Sequence, residues 1–207
     1  MCIRDSVLPP AAGDWAGAQR EVEQLAGAGV QRIVLAEQPS PTWDLDGIAH
    51  AELVKRFDRV AQPGVGGFSV AVYSRPAEAR SARADTFADW LHLTAADMQP
   101  AALIPGGLLA VHLDWLVDPP RPNVFEKVTV QLLGPDGAIV AQSDQPLVSS
   151  ILLGQSAPQS YGILLPDMLP PGDYRLIAAV YDPAQAGAPR LPVAGGDSVE
   201  LARWDIR

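Results

Sequence analysis

Residues 127–142 read Lys-Val-Thr-Val-Gln-Leu-Leu-Gly-Pro-Asp-Gly-Ala-Ile-Val-Ala-Gln, and their pattern sets the fold of the second half of the chain. Val128, Val130 and Leu132 alternate with Lys127, Thr129 and Gln131, the period-two pattern of a strand with one buried face. Gly134-Pro135-Asp136-Gly137 then breaks the strand. Proline and aspartate favour the first bend of a tight turn, and Gly137 supplies the positive φ that closes it. Residues 138–142 return as the partner strand of a hairpin.

The same alternation extends on both sides. Leu109, Val111, Leu113, Trp115 and Val117 alternate with Leu108, Ala110, His112, Asp114 and Leu116. Residues 87–93, 161–165, 174–181 and 198–206 complete about seven short strands at regular spacing, which predicts an antiparallel, immunoglobulin-like β-sandwich over 86–207. Gly172 ends a Leu-Pro-Pro-Gly turn, and Tyr174 opens the strand after it. That placement suits a tyrosine corner, in which the hydroxyl bonds backbone a few residues upstream.

Before residue 76 the reading is mixed. Asp14 suits an N-cap, followed by Trp15, Ala18, Val22 and Leu25 at helical spacing. Residues 32–36 form a short apolar strand. Asp46 suits the N-cap of a second helix, in which Ala49, Leu53, Phe57 and Val60 share a face. Phe68, Val70 and Val72 alternate as a further strand. The order helix–strand–helix–strand predicts a partial α/β, βαβ-like layer with a parallel sheet over 7–76. Residues 77–85, rich in alanine and arginine without apolar periodicity, read as a linker. The whole chain is then α+β.

Residues 1–6, Met-Cys-Ile-Arg-Asp-Ser, back-translate as ATG TGT ATA AGA GAC AG and resemble a transposon-end sequencing adapter. On this reading they are an artefact and the true amino terminus lies upstream. Cys2, the one cysteine, falls inside it, so the remaining chain offers no disulfide, zinc–thiolate cluster or thiol nucleophile. The 24 acidic and 15 basic residues give a formal net charge of −9, and no Lys/Arg run exists, which argues against a nucleic-acid partner. Twenty prolines, about twice the usual ~5%, cluster between apolar runs and mark turns.

Several residues combine into a recognisable series. Leu132-Leu133-Gly134-Pro135-Asp136-Gly137 runs into Ala138-Ile139-Val140-Ala141-Gln142-Ser143-Asp144-Gln145-Pro146. Leu169-Pro170-Pro171-Gly172-Asp173-Tyr174-Arg175-Leu176 follows, then Tyr181-Asp182-Pro183 and Arg190-Leu191-Pro192-Val193. This series resembles the carboxy-terminal extracytoplasmic region of bacterial multi-pass membrane glycosyltransferases related to protein O-mannosyltransferases. The resemblance spans most of residues 14–207 and is concentrated in 108–193. It implies a parent enzyme that transfers a sugar from a polyprenyl-phosphate donor at the outer face of the bacterial cytoplasmic membrane. The partners it implies are the chain's own missing transmembrane domain and a glycan or polyprenyl-linked sugar. The catalytic acidic residues of such enzymes lie near the first membrane spans, so no catalytic residue is carried over to this chain. Where relatives carry Thr-x-x-Trp-x-x-Gly-Glu, this chain has Ser149-Ser150-Ile151-Leu152-Leu153-Gly154-Gln155. The tryptophan is absent, and a sugar-stacking role for it does not transfer.

The residues themselves assemble no catalytic, cofactor or metal constellation. Asp44 and Asp46 read as capping groups, and Asp114 and Asp118 as a solvated face and a turn. Asp144 and Asp182 read as loop residues. His50, His92 and His112 lack metal-ligand spacing. Gly64-Val65-Gly66-Gly67 precedes a strand, whereas a phosphate loop follows one, so it reads as a turn. Among Trp43, Trp90, Trp115, Tyr161, Tyr181 and Trp204, the Pro-rich setting of Trp43 makes it the candidate for glycan contact, and Trp115 reads as core. The alternative function, in a different class, is a carbohydrate-binding or cell-surface adhesion sandwich. A purely structural sandwich packed on its own membrane domain is the third.

Overall fold

The computed structural model describes residues 8–37, 44, 46–62, 64–65, 68–77, 80–118, 125–147 and 156–207, with the backbone alone at 64, 65 and 68. The adapter-like residues 1–6, Trp43 and 149–155 lie outside the described residues. The chain divides into two compact units, residues 1–76 and 77–207.

In the first unit, helix α1 (Trp15–Gly27) starts where Asp14 accepts a hydrogen bond from the Gly17 N–H at 2.7 Å. This satisfies one of the donors that a helix start leaves open. Ala18, Val22 and Leu25 face inward from α1. The strands are β1 (Arg32–Glu37), β2 (Asp58–Ala61), β3 (Gly64–Val65) and β4 (Phe68–Ser74). Strand β4 is central and runs antiparallel to β1, β2 and β3. The expected parallel sheet is therefore corrected. A parallel pair needs a crossover that returns the chain in the same direction. Here helix α2 (Ile48–Leu53) is only six residues long, and the extra strands β2 and β3 intervene before β4. The helix expected to run through Val60 stops at Leu53. Phe57 is buried from a turn and Val60 sits at a bulge in β2. Three-to-four-residue spacing over so short a stretch fits a turn and a bulged strand as well as a helix. Val22, Leu53, Phe57, Ala71 and Tyr73 form the unit's small core.

The capping residue of α2 is also corrected. Gly47 holds the N-cap position with φ +63° and offers no side chain. Asp44 reaches over it: one carboxylate oxygen accepts from Ile48 N–H at 2.6 Å and the other from Ala49 N–H at 3.1 Å. Asp46 is exposed.

The second unit consists of β5 (Ser81–Phe87), β6 (Leu91–Gln99), β7 (Leu108–Val117), β8 (Lys127–Leu133), β9 (Ile139–Pro146), β10 (Ala157–Leu164), β11 (Gly172–Tyr181) and β12 (Val199–Ile206). They form two four-stranded antiparallel sheets, in the orders β10-β7-β6-β5 and β12-β11-β8-β9. Both sheets contribute to one core that includes Phe87, Trp115, Val130, Tyr161 and Leu176, as in a β-sandwich. The Phe87 and Trp115 rings tilt against each other with centroids 5.8 Å apart.

Two expectations change here. The linker of 77–85 is in part a strand, because residues 81–85 belong to β5 and pair with β6. The single strand expected over 87–93 is two strands separated by a turn at Ala88 and Asp89, both with positive φ. At the opposite end of the sandwich the 134–137 turn packs into the corner before β11. Gly137 has φ +80°, and its N–H donates to the Gly134 carbonyl at 2.9 Å. Gly172 has φ +140°, and a Cβ there would lie 2.5 Å from Pro135 Cγ. The Tyr174 hydroxyl donates to the Pro170 carbonyl at 2.8 Å.

Candidate functional site

Three polar constellations stand out from otherwise apolar packing. In the first unit, His50 Nδ1 and the buried Tyr73 hydroxyl are hydrogen-bonded, and their rings are 5.9 Å apart. Nearby in sequence, the carboxylate of the buried Glu52 accepts from Lys55 at 2.6 Å. The His50–Tyr73 contact ties α2 to β4, and both contacts satisfy groups that burial would otherwise penalise.

The second constellation lies on the outward face of the β10-β7-β6-β5 sheet. Along β7 the odd-numbered side chains from Leu109 to Val117 enter the core, so His112 and Asp114 point the other way. Register places Ser160 of β10, His112 of β7 and Asp97 of β6 in one row across three strands. His112 Nδ1 and Ser160 Oγ are 2.8 Å apart, and Asp97 accepts from Gln99 at 3.0 Å. The row has the residue types of a serine hydrolase triad without its geometry. A triad histidine bonds its orienting carboxylate through Nδ1 and its serine through Nε2, and it must be reachable by substrate. Here the serine occupies Nδ1 and the imidazole is completely buried. One row away, Arg80 forms an ion pair with Asp114 in a cleft lined by Ala77, Ala95 and Pro158. The Asp114 position read as a solvated face is therefore partly buried and paired.

The third lies on the outward face of the β12-β11-β8-β9 sheet. Val128, Val130 and Leu132 enter the core, leaving Lys127, Thr129 and Gln131 outward. Register sets them in three rows. Tyr181 and Pro146 flank Lys127, Ala179 and Asp144 flank Thr129, and Ile177 and Gln142 flank Gln131. Gln131 donates to Gln142 at 3.2 Å and accepts from Arg190 Nη2 at 2.8 Å. Arg190 also reaches Asp197 at 3.4 Å. Its backbone bridges to Tyr181, so its side chain spans the middle row to meet Gln131. The Thr129 hydroxyl, in a residue only 3% exposed, has no hydrogen-bond partner among the described residues. Burial first, and the Asp144 charge second, raise the Tyr181 hydroxyl above its ordinary pKa.

The aromatic candidates separate clearly. Trp43 lies outside the described residues. Trp115 and Tyr161 are wholly buried. Trp204 donates its indole N–H to the Ala101 carbonyl at 2.6 Å, and Trp90 packs against the sandwich core. Among the described members of the set, Tyr181 alone stands on an outward polar face, in the row of Lys127 and Pro146 and two rows from the Gln131–Gln142 amides. The sequence reading took Asp144 for a loop residue, yet it belongs to β9. The hairpin turn at 134–137 was the available signal, because it fixes which residues of β9 oppose those of β8. Among the described residues no group of three or more His, Cys, Asp or Glu could hold a metal ion. No described helix is long and apolar enough to cross a membrane.

No family model matches the chain, and no curated protein matches it. Among solved structures it is similar to a Bacteroides uniformis β-glucuronidase 2, at 14% identity and TM-score 0.37 over 67% of this chain and 15% of that one. A second Bacteroides uniformis β-glucuronidase structure gives 14% and 0.36 over 70% and 17%. The C-terminal domain of Wzt gives 16% and 0.32 over 63% and 75%. The chain thus spans less than a fifth of either glucuronidase, and at TM-scores this low the likenesses carry nothing further.

Proposed function

We propose that residues 77–207 are a non-catalytic, immunoglobulin-like module of a membrane glycosyltransferase. The parent would transfer a sugar from a polyprenyl-phosphate donor, and the module would stand beside its transmembrane domain on the extracytoplasmic face. The observation that carries this reading is the coincidence of two features. The residues that bear the family resemblance, 132–146 and 169–176, are also those that build the β8–β9 hairpin and the Tyr174 corner.

The strand order supports the immunoglobulin-like part. Named as strands B, C, C′, E, F and G, β7 to β12 place B beside E in one sheet and G-F-C-C′ in the other. Tyr174 then opens strand F, where a tyrosine corner belongs. Such a scaffold is rigid and holds loops and faces at fixed positions, which suits acceptor access rather than bond cleavage.

The test is genetic and then enzymatic. The source DNA upstream of Val7 should encode about ten apolar segments of membrane-spanning length. The full enzyme in membranes should consume a polyprenyl-phosphate sugar. Deleting 77–207 should change acceptor use and leave donor hydrolysis intact. A secretion signal followed by further sandwich repeats would refute this reading and favour an adhesion protein.

A further inference from the structure

We propose that the outward face of the β12-β11-β8-β9 sheet is a binding site for a neutral oligosaccharide, with the Tyr181 ring as its platform and Asp144, Gln142 and Arg190 as its hydrogen-bonding groups. The proposal goes beyond the glycosyltransferase reading and stands whether or not that reading does.

The chemistry of the face selects this ligand. A pyranose has flat C–H surfaces rimmed by hydroxyl pairs. An amphipathic aromatic ring matches the surface, and planar carboxylate, amide and guanidinium groups match the pairs. The ring, the carboxylate and the amides occur within three rows of one sheet, on strands β8, β9 and β11, and the guanidinium comes from Arg190 in the return segment bridged to Tyr181. The amide and guanidinium groups are held before any ligand arrives. Gln131 is held between Arg190 and Gln142, and Arg190 is held by Asp197 and by backbone pairing beside Tyr181. Fixed side chains lose little freedom on binding, which matters for a weak ligand on a shallow face.

The Thr129 hydroxyl supplies the independent sign of a missing partner. It lies in the middle row between Ala179 and Asp144, buried and unbonded. Buried polar groups are almost always satisfied, and an exception calls for an account. A ligand hydroxyl entering between the partly exposed Lys127 and Arg190 side chains would provide the bond. An anionic ligand suits the face poorly, since Asp144 is exposed on it and Arg190 is already shared with Asp197. Raising of the Tyr181 pKa by Asp144 shows that the phenol and the carboxylate lie within electrostatic reach of each other.

The experiment is an NMR titration of the 15N-labelled 207-residue chain with hexasaccharides of mannose, glucose and galactose, and with oligogalacturonate as the anionic control. At least one neutral oligomer should shift Thr129, Gln131, Gln142, Asp144 and Tyr181 together, with a Kd of about 0.1–1 mM, since the central residues Thr129, Gln131, Ile177 and Ala179 are buried and only the rim of the face is accessible. Tyr181→Ala should weaken binding at least ~10-fold, and Tyr181→Phe should keep most of it, because the ring surface is what stacks. Asp144→Asn, at an exposed strand position, checks the polar contact without threatening the fold. Thr129→Val should weaken binding while leaving the melting temperature unchanged or higher, a split that a merely structural threonine would not give. The proposal is overturned if no neutral oligomer shifts these residues, if shifts map elsewhere, or if the anionic oligomer binds here instead. Unaltered affinity in both Tyr181→Ala and Asp144→Asn would overturn it equally.

Discussion

Gly172→Ala tests whether the close approach of the hairpin turn to the corner is what orders this end of the sandwich. Two costs add at that position. The first is conformational: φ is +140°, a region that side-chain-bearing residues rarely enter, and holding one there costs about 1–3 kcal/mol. The second is steric. The new methyl would lie 2.5 Å from Pro135 Cγ and 2.8 Å from Pro135 Cβ. The proline ring cannot swing aside as a long flexible side chain could, so the 134–137 turn must move, at a further cost of about 1–3 kcal/mol. Gly137→Ala is the control. Its φ is +80°, but nothing lies within 4 Å of the added Cβ, so only the conformational cost applies. Gly172→Ala should therefore destabilise the second unit by about 3 kcal/mol or more, and Gly137→Ala by about 1 kcal/mol. Urea unfolding followed by near-UV circular dichroism reads the difference, since Trp115 and Tyr161 are immobilised in that unit's core. Adding Pro135→Ala shortens the opposing ring and should recover part of the loss in Gly172→Ala but none in Gly137→Ala. Equal losses at the two glycines, or no coupling to Pro135, would refute the steric reasoning.

Three further outcomes follow from the same geometry. Asp44→Ala should cost about 1–2 kcal/mol by releasing two helix-end amides, whereas Asp46→Ala should stay within about 0.5 kcal/mol; thermal unfolding of the first unit distinguishes them. Glu200 titrates below the ordinary glutamate range because it accepts a hydrogen bond from Arg203, so its small contribution to stability is complete at neutral pH and fades as pH falls through that lowered value. Arg203→Ala should return the midpoint to the ordinary range in a carboxylate NMR titration. Asp144→Asn should lower the Tyr181 midpoint in a phenolate absorbance titration only in part, because burial, the larger cause, remains.

What could be read from the chain depended on how many faces each strand buries. Residues 108–117 and 127–133 are central strands whose core-facing side chains are uniformly apolar, and their alternation is plain. Strand β5 is an edge strand, Ser-Ala-Arg-Ala-Asp-Thr-Phe, in which only Phe87 is buried, so nothing in its composition separates it from a linker. Strand direction is likewise invisible in a periodicity. The choice of antiparallel over parallel in the first unit turned on β2 and β3, of which β2 is four residues long and bulged. Asp46 was preferred to Asp44 as the N-cap because ordinary capping spans fewer residues, and the left-handed Gly47 lengthens the reach. The outward face with Tyr181 draws on β8, β9, β11 and the segment around Arg190. Only the β8–β9 part follows from a local turn; the approach of Arg190 depends on a return more than fifty residues later, which no short-range pattern encodes.

The two tyrosines of the sandwich core give one substitution two different outcomes. Tyr174 is buried with its hydroxyl donating to the Pro170 carbonyl at 2.8 Å. Tyr174→Phe leaves that carbonyl without its donor in the corner, and a cost of about 1–2 kcal/mol follows. Tyr161 is buried as deeply, yet its hydroxyl and the nearby Trp115 indole N–H both lack a hydrogen-bond partner among the described residues. Burial raises the Tyr161 pKa well above the ordinary phenol value, and the Trp115 N–H offsets little of it, as expected of a polar group placed among Val111, Leu113 and Ile163. Tyr161→Phe removes a desolvated hydroxyl that has gained no bond in return and keeps the ring that fills the space. It should be neutral within about 0.5 kcal/mol, or stabilising by up to about 1 kcal/mol. Trp115 loses almost nothing, since its N–H is poorly paired already. Urea unfolding of the two variants side by side decides the matter. If Tyr161→Phe costs as much as Tyr174→Phe, the pair in the core is a true hydrogen bond, and the contrast between a satisfied corner and an unsatisfied centre does not hold.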